Sequence, residues 1–327
     1  MNDPHEQGKR LPGLAKSASD ESFLSALNYY LEPFSHLRDV EERADLPIVY
    51  IVGAPRSGTT LLSQVLSRFL PVGYVNNFIA RFWMAPSVGV RLSQIMLGDD
   101  ARRSIDFRSH HGVTGDLAGP HEYGYFWRHW LSLDTAQTHH LTAIELEEVD
   151  VEGLRKALRV DLLGAFGTPM VFKNVICGFQ ASLLRQVHPN SIFLHISRSV
   201  RDTAASILKS RFERYGSYDI WWSLKPSTFD RLPKDPVRQV VAQILDCRRE
   251  VDEELDASAA LSIRVDYEQF CRDPNNLLLD VCGAIEELGV AIVPLGIAEP
   301  FTPAGCPKLP EDIKARLEAA VSDLNES

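Results

Sequence analysis

Gly53 and Gly58 stand five residues apart in the string GAPRSGTTLL, Gly53–Leu62, directly after the apolar run IVYIV. GxxxxG is the spacing of a loop whose backbone N–H groups turn inward onto an anion. Glycine makes such a turn without a Cβ clash, and a helix starting at its end adds the positive end of its dipole. A triphosphate-hydrolysing loop of this type continues with Lys and then Ser or Thr. Here Thr59 stands at the lysine position, and Arg56 is the loop's only cation. Arg56, Ser57, Gly58, Thr59 and Thr60 are therefore the candidate anion-binding residues. The missing lysine argues against an ordinary ATP or GTP hydrolase and for a different phosphate-like group.

The elements that must carry this loop are legible on both sides of it. IVYIVG (48–53) is short, β-branched and ended by glycine, as expected of a strand buried on both faces of a parallel sheet. MVFKN (170–174), SIFLHIS (191–197) and LSIRVDY (261–267) are further strands. Leu61, Leu62, Val65, Leu66 and Phe69 have helical spacing after the loop, and Phe23, Leu24, Leu27 and Leu31 have it near the N-terminus. Strands alternating with helices predict an α/β fold around a central parallel sheet. Residues 1–20 are polar and read as a mobile lead-in to a single domain over 21–327. Within that domain, residues 71–135 mix Gly, Pro, His and aromatics without a period, as does RYGSYDIWWSLKP (214–226). A long irregular insertion of this kind is expected to shape a substrate pocket.

Bulk properties narrow the classes of function. The 327 residues are 45% hydrophobic and 24% charged, near the globular average. A formal charge of −10 argues against a general nucleic-acid binder, which needs clustered Lys and Arg, but leaves room for a local basic pocket. Five scattered cysteines (Cys177, Cys247, Cys271, Cys282, Cys306) form no CxxC pair and read as buried free thiols in a reducing compartment. The N-terminal stretch lacks a signal-peptide core and no apolar run is long enough to span a bilayer, so the expected location is the cytoplasm. His110, His111, His139 and His140 come as adjacent pairs, whose side chains diverge on any regular element, and are poor metal ligands.

PRSGTT following a strand resembles the phosphosulfate loop of sulfotransferases that use 3′-phosphoadenosine 5′-phosphosulfate. FKNVICGFQASLLRQVHPNSIFLHISRSVRDTAASIL is similar to that family's Lys-bearing strand and 3′-phosphate motif, and VDYEQFCRDP to its late segment. The likeness runs from about residue 47 to 290. It implies a three-layer sandwich with a central parallel sheet, the P-loop NTPase-like sulfotransferase fold, with the phosphosulfate as co-substrate and no metal. It also implies that Arg198 and Ser206 hold the 3′-phosphate, by a charge-assisted fork and a hydroxyl bond. Tyr267 would line the nucleotide site, and Lys173 would face the leaving group. Ser199 with Asp202 matches a capping box that opens a helix after the strand.

Transfer to a hydroxyl also needs a group that takes the acceptor proton. Several members of the family place a Glu just after the second strand; this chain has Asn76 and Asn77 there, and neither accepts a proton. Glu122, and after it His121, in GPHEYGYFW are the substitutes, with the pKa of Glu122 expected to be raised by its aromatic surroundings. Tyr123, Tyr125, Phe126, Trp127, Trp130, Trp221 and Trp222 offer rings for a sugar platform, which makes a carbohydrate or glycolipid hydroxyl the favoured acceptor. The rival readings are a nucleotide kinase, which would need a loop lysine and a magnesium-binding Asp, and a non-catalytic nucleotide binder.

Overall fold

The computed structural model describes residues 9–11, 14–34, 40–110 and 112–323. Five strands, β1 Ile48–Val52, β2 Gly73–Tyr74, β3 Met170–Lys173, β4 Ser191–Ser197 and β5 Leu261–Asp266, form one sheet in the order β2-β3-β1-β4-β5. All pairs are parallel, with Ile51 beside Lys173 and Val52 beside His195. Among the described residues the α-helices of seven residues or more are α1 Ala18–Leu31, α2 Thr59–Phe69, α3 Pro86–Leu97, α4 Gly124–Trp130, α5 Ala181–Val187, α6 Val200–Tyr215, α7 Pro236–Ser258, α8 Pro274–Glu287 and α9 Glu311–Ser322.

β1 is apolar at every position because both of its faces are covered. Ile48, Tyr50 and Val52 enter a core with Phe172, Phe193 and the buried faces of α5, α6, α7 and α9. Val49 and Ile51 point the other way, into a second core with Leu62, Val65 and Leu66 of α2 and Leu278, Val281 and Ile285 of α8. The period-2 alternation of a strand thus feeds two helical layers, giving a three-layer α/β sandwich. Tyr50 stacks between Phe172 and Phe193, with ring centroids 5.8 and 5.1 Å away, and Trp127 meets its edge. Each such fully buried side chain contributes about 1.5–3 kcal/mol by leaving water.

Three departures from the sequence reading have physical causes. β2 is only two residues long, too short for a pattern. The 71–135 stretch contains α3, whose buried face is made of Pro86, Ser87, Gly89, Val90 and Ser93, so no apolar stripe marks it. α1 starts at Ala18, capped by the Ser17 hydroxyl, and buries Asn28 while Phe23 stays 66% exposed. Asn28 ties it down by donating to the Arg81 carbonyl at 2.7 Å and accepting from the Met84 N–H at 2.9 Å. Residues 1–8, 12 and 13 of the expected lead-in lie outside the described residues. Among the cysteines, Cys306 is exposed and the other four are buried; all five are free. Among the described residues no helix is long and apolar enough to cross a membrane.

Candidate active site

β1, β3, β4 and β5 end on the same edge of the sheet, and the candidate residues gather there, as ligand-binding residues do in open parallel sheets. After β1 the chain turns at Gly53 (φ 144°), where a Cβ would stand 2.4 Å from the Ile196 carbonyl oxygen of β4. Gly58 (φ 105°) is the N-cap of α2, and a Cβ there would meet the Tyr267 ring at 2.3 Å. Both positions therefore demand glycine, for conformation and for space. Arg56 adopts φ 67° between them, a strained value for a non-glycine residue of the kind that clusters at functional sites. No side chain caps α2, so the positive end of its dipole is left to whatever enters the loop.

Arg56 reaches across to α6 and donates from Nε to the Ser206 Oγ at 3.0 Å. Burial lowers its pKa, and the charge of Arg198 lowers it further. Beyond the loop, three polar groups converge on one spot beside Gly112. A Cβ on Gly112 would stand 3.4 Å from Thr60 Oγ1, 3.7 Å from Arg56 Nη1 and 3.9 Å from Lys173 Nζ. The Gly112 carbonyl accepts from Thr60 at 3.5 Å and Lys173 at 3.4 Å. Lys173, last in β3 and 4% exposed, also donates to the Glu122 carboxylate. Ser57 is buried, and its Oγ has no hydrogen-bond partner among the described residues; Thr59, the first residue of α2, is buried too.

The ion pair reverses one expectation. Burial works against the charge on Glu122, but the Lys173 ammonium overrides it and holds the carboxyl well below its usual range. The sequence shows the aromatics around Glu122 but not a cation contributed from a strand 51 residues away. His121 accepts the Tyr123 N–H at Nδ1, 2.8 Å, so its neutral ring carries hydrogen on Nε2; burial is the main cause that brings its pKa down to about 4. Asn76 and Asn77 hold the neighbouring loops together instead. Asn76 bonds Ser93 and the Ile79 N–H, and Asn77 donates to Thr114 and to the Asp116 carbonyl.

Arg198 follows β4, and its guanidinium lies 4.9 Å from the centre of the Tyr267 ring. It donates to the Ala304 carbonyl and stands 3.8 Å from Asp202 and 3.9 Å from Glu268; its buried Nε has no hydrogen bond among the described residues. Tyr267 OH accepts the Ala304 N–H at 3.1 Å. The irregular segment around Ala304 thus covers this end of the site, a contact that no motif marks. Ser199 caps α6 by accepting the Asp202 N–H.

Past Glu122 and His121 opens a cavity of about 560 Å³, inside the usual small-molecule range. Of the seven aromatics expected as a platform, only Tyr125 lines it. Phe126, Trp127 and Tyr123 are core, Trp221 and Trp222 are 7% exposed, and Trp130 packs against the core. The second ring is Trp83, 4.8 Å from Tyr125 and missed in the sequence reading. Arg81 and Arg214 also line the cavity unforeseen; the one available signal was a cation set inside an aromatic run, as in ARFW (80–83) and ERYG (213–216). His110 lines it too, His140 pairs with Glu250 at 2.8 Å, and His139 accepts the Lys225 N–H. His111 lies outside the described residues. Among the described residues no three His, Cys, Asp or Glu side chains are grouped to hold a metal.

Fold and site together describe an α/β protein in which Arg56 of the strand-to-helix loop and Lys173 at the end of β3 stand close together, with no lysine in the loop itself. The sequence matches the profile of the sulfotransferase family over residues 47–287, and the chain belongs to that family. Solved structures similar to it include sulfotransferase STF1 from Mycobacterium tuberculosis H37Rv, at 17% identity over 80% of this chain and 72% of that one, with a TM-score of 0.47. Sulfotransferase STF9 from Mycobacterium avium shares 15% over 90% and 72%, TM-score 0.48. A sulfotransferase from Alicyclobacillus acidocaldarius shares 18% over 86% and 94%, TM-score 0.37. No curated protein matches the chain significantly.

Proposed function

We propose that this sulfotransferase moves the sulfuryl group of 3′-phosphoadenosine 5′-phosphosulfate to a hydroxyl of a carbohydrate or glycolipid. The observation that carries the reading is the convergence of Arg56 Nη1, Lys173 Nζ and Thr60 Oγ1 on one spot beside the uncapped start of α2. The donor has two anionic ends, and the chain has two sets of cations to match them. Arg56, Lys173 and the backbone of Ser57, Gly58, Thr59 and Thr60 suit the phosphosulfate; Arg198, whose buried Nε makes no hydrogen bond among the described residues, and Ser206 suit the 3′-phosphate. Tyr267 closes the nucleotide side against Gly58.

Arg56 and Lys173 supply positive charge where the leaving phosphate gains negative charge, which is where such side chains contribute most to rate. Glu122 faces the acceptor cavity and takes the hydroxyl proton. As Lys173 turns toward the leaving group it loosens its hold on Glu122, whose basicity then rises. His121, neutral near pH 7, is the second candidate for that proton. Support for a sugar comes from the Trp83–Tyr125 wall with polar groups around it. The five free thiols fit a reducing compartment such as the cytoplasm.

Labelled-sulfate transfer from the donor to glycan pools and cell extracts tests the reaction, and calorimetry with adenosine 3′,5′-bisphosphate beside ATP tests the donor. Transfer together with selective binding of the bisphosphate is the expected result. Tighter binding of ATP would turn the reading toward a phosphotransferase, and bisphosphate binding without transfer to any pool toward a non-catalytic binder.

A further inference from the structure

The chain carries a formal charge of −10, yet its acceptor cavity is walled by cations. Arg10, Lys16, Arg81, Arg128 and Arg214 line it, against the carboxylates of Asp116 and Glu122. Glu122 is committed to Lys173, and Arg128 to Asp134 outside the cavity. Lys16 has Glu21 at 3.0 Å and the Tyr125 hydroxyl. Arg81 makes no side-chain hydrogen bond or ion pair among the described residues. The Nε of Arg214 is buried without a hydrogen bond among the described residues, its guanidinium 5.1 Å from the Trp222 ring centre.

These cations also repel one another. Burial lowers the pKa of Lys16 despite the opposing pull of Glu21, and the charges of Arg81 and Arg10 add smaller downward shifts. Burial likewise lowers Arg214, followed by Arg10. Gathering like charges in a partly dehydrated cavity is unfavourable unless a counter-charge joins them. Nothing in the donor reading provides one, because Arg198, Ser206 and Tyr267 do not line this cavity.

We infer that the acceptor is itself an anion: a hydroxyl compound bearing a carboxylate or phosphate that Arg81, Arg214 and Lys16 hold while its hydroxyl faces Glu122. This rests on the sulfotransferase reading and deepens it. In the step, the acceptor oxygen bonds to sulfur and the bond from sulfur to the bridging oxygen breaks. The proton passes to Glu122, and adenosine 3′,5′-bisphosphate leaves. Trp83 and Tyr125 pack the carbon skeleton between the two polar ends. A neutral sugar would fill the same volume and leave Arg81 and Arg214 without an ion-pair partner among the described residues.

The test is calorimetry on the full chain with glucose 6-phosphate, glucuronic acid and glucose, with and without saturating adenosine 3′,5′-bisphosphate. At least one acidic sugar is expected to bind about tenfold or more tighter than glucose, an advantage that shrinks as salt rises from about 50 to about 500 mM. Arg81→Glu, an exposed position, should remove most of that preference while the melting temperature is kept. Lys16→Ala should reduce the preference in the same direction. Acidic sugars that bind no better than glucose would overturn the inference, and so would a preference unchanged in both variants. Failure of the bisphosphate to bind would instead count against the donor reading, and the titrations without nucleotide would still report the cavity's choice between acid and neutral sugar.

Discussion

In the proposed reaction the pair of Lys173 and Glu122 would join the donor side of the site to the acceptor side, and its charge state would govern what either residue can do. Glu122→Gln is expected to lower turnover by about 10²–10⁴ with adenosine 3′,5′-bisphosphate affinity intact; near-normal turnover would remove Glu122 as the base. Because Lys173 depresses its pKa, Glu122 stays ionised throughout the neutral range. His121, brought down to about 4, stays neutral there as well. The kcat/KM profile should therefore be flat between about pH 5.5 and 7.5, with any acid limb lying lower. A limb near pH 6.5 that disappears in His121→Gln would contradict this. Arg198→Ala should weaken the bisphosphate by about 10–100-fold, the value of a charge-assisted hydrogen bond or two. Equal affinity by calorimetry would assign the 3′-phosphate elsewhere.

At the scale of elements, the strand-to-helix turn from β1 to α2 leaves little room for substitution at either glycine. Gly58→Ala combines a left-handed backbone with a Cβ placed 2.3 Å from the Tyr267 ring. It should cost about 1–3 kcal/mol of stability and weaken nucleotide binding. A variant that melts and binds like the parent would show that the turn is looser than its contacts imply. This turn was legible in the sequence because glycine at both ends of GxxxxG leaves few alternatives. α3 was not legible, since its buried face is built of Ser, Gly and Pro. The segment around Ala304 was not legible either, because its part in the site consists of backbone atoms meeting Arg198 and Tyr267.

At the scale of the molecule, binding and proton uptake both act on the whole fold. A ligand at one hundred times its Kd adds about 2.7 kcal/mol of stability, so adenosine 3′,5′-bisphosphate should raise Tm by several degrees. ATP should do so less; an equal shift would count against a site for the 3′-phosphate. His188 is fully buried, bonded through Nε2 to the Leu46 carbonyl at 2.9 Å, and brought down to about 4, chiefly by burial. An unfolded histidine binds a proton near pH 6.5, so in that window unfolding takes up a proton. Stability is then complete above pH 6.5 and lost as pH falls toward 4, by on the order of 3 kcal/mol for this residue. Scans of Tm against pH should show the decline, and His188→Gln should flatten it; an equal slope in the variant would place the acid sensitivity elsewhere.

The sequence by itself determined the α/β class, four of the five strands and the glycine turn between β1 and α2 with its missing lysine. These are local properties, written in β-branched runs, glycine spacing and apolar period. It also carried the order of motifs that places Lys173, Arg198 and Tyr267 at the ends of strands. Only the tertiary structure decided that Lys173 meets Glu122, that Arg56 reaches Ser206, and that most of the expected aromatic platform is core. It alone gathered Lys16, Arg81 and Arg214 around one cavity. Such choices depend on which distant side chains share a small volume and a low dielectric, and no spacing along the chain encodes that.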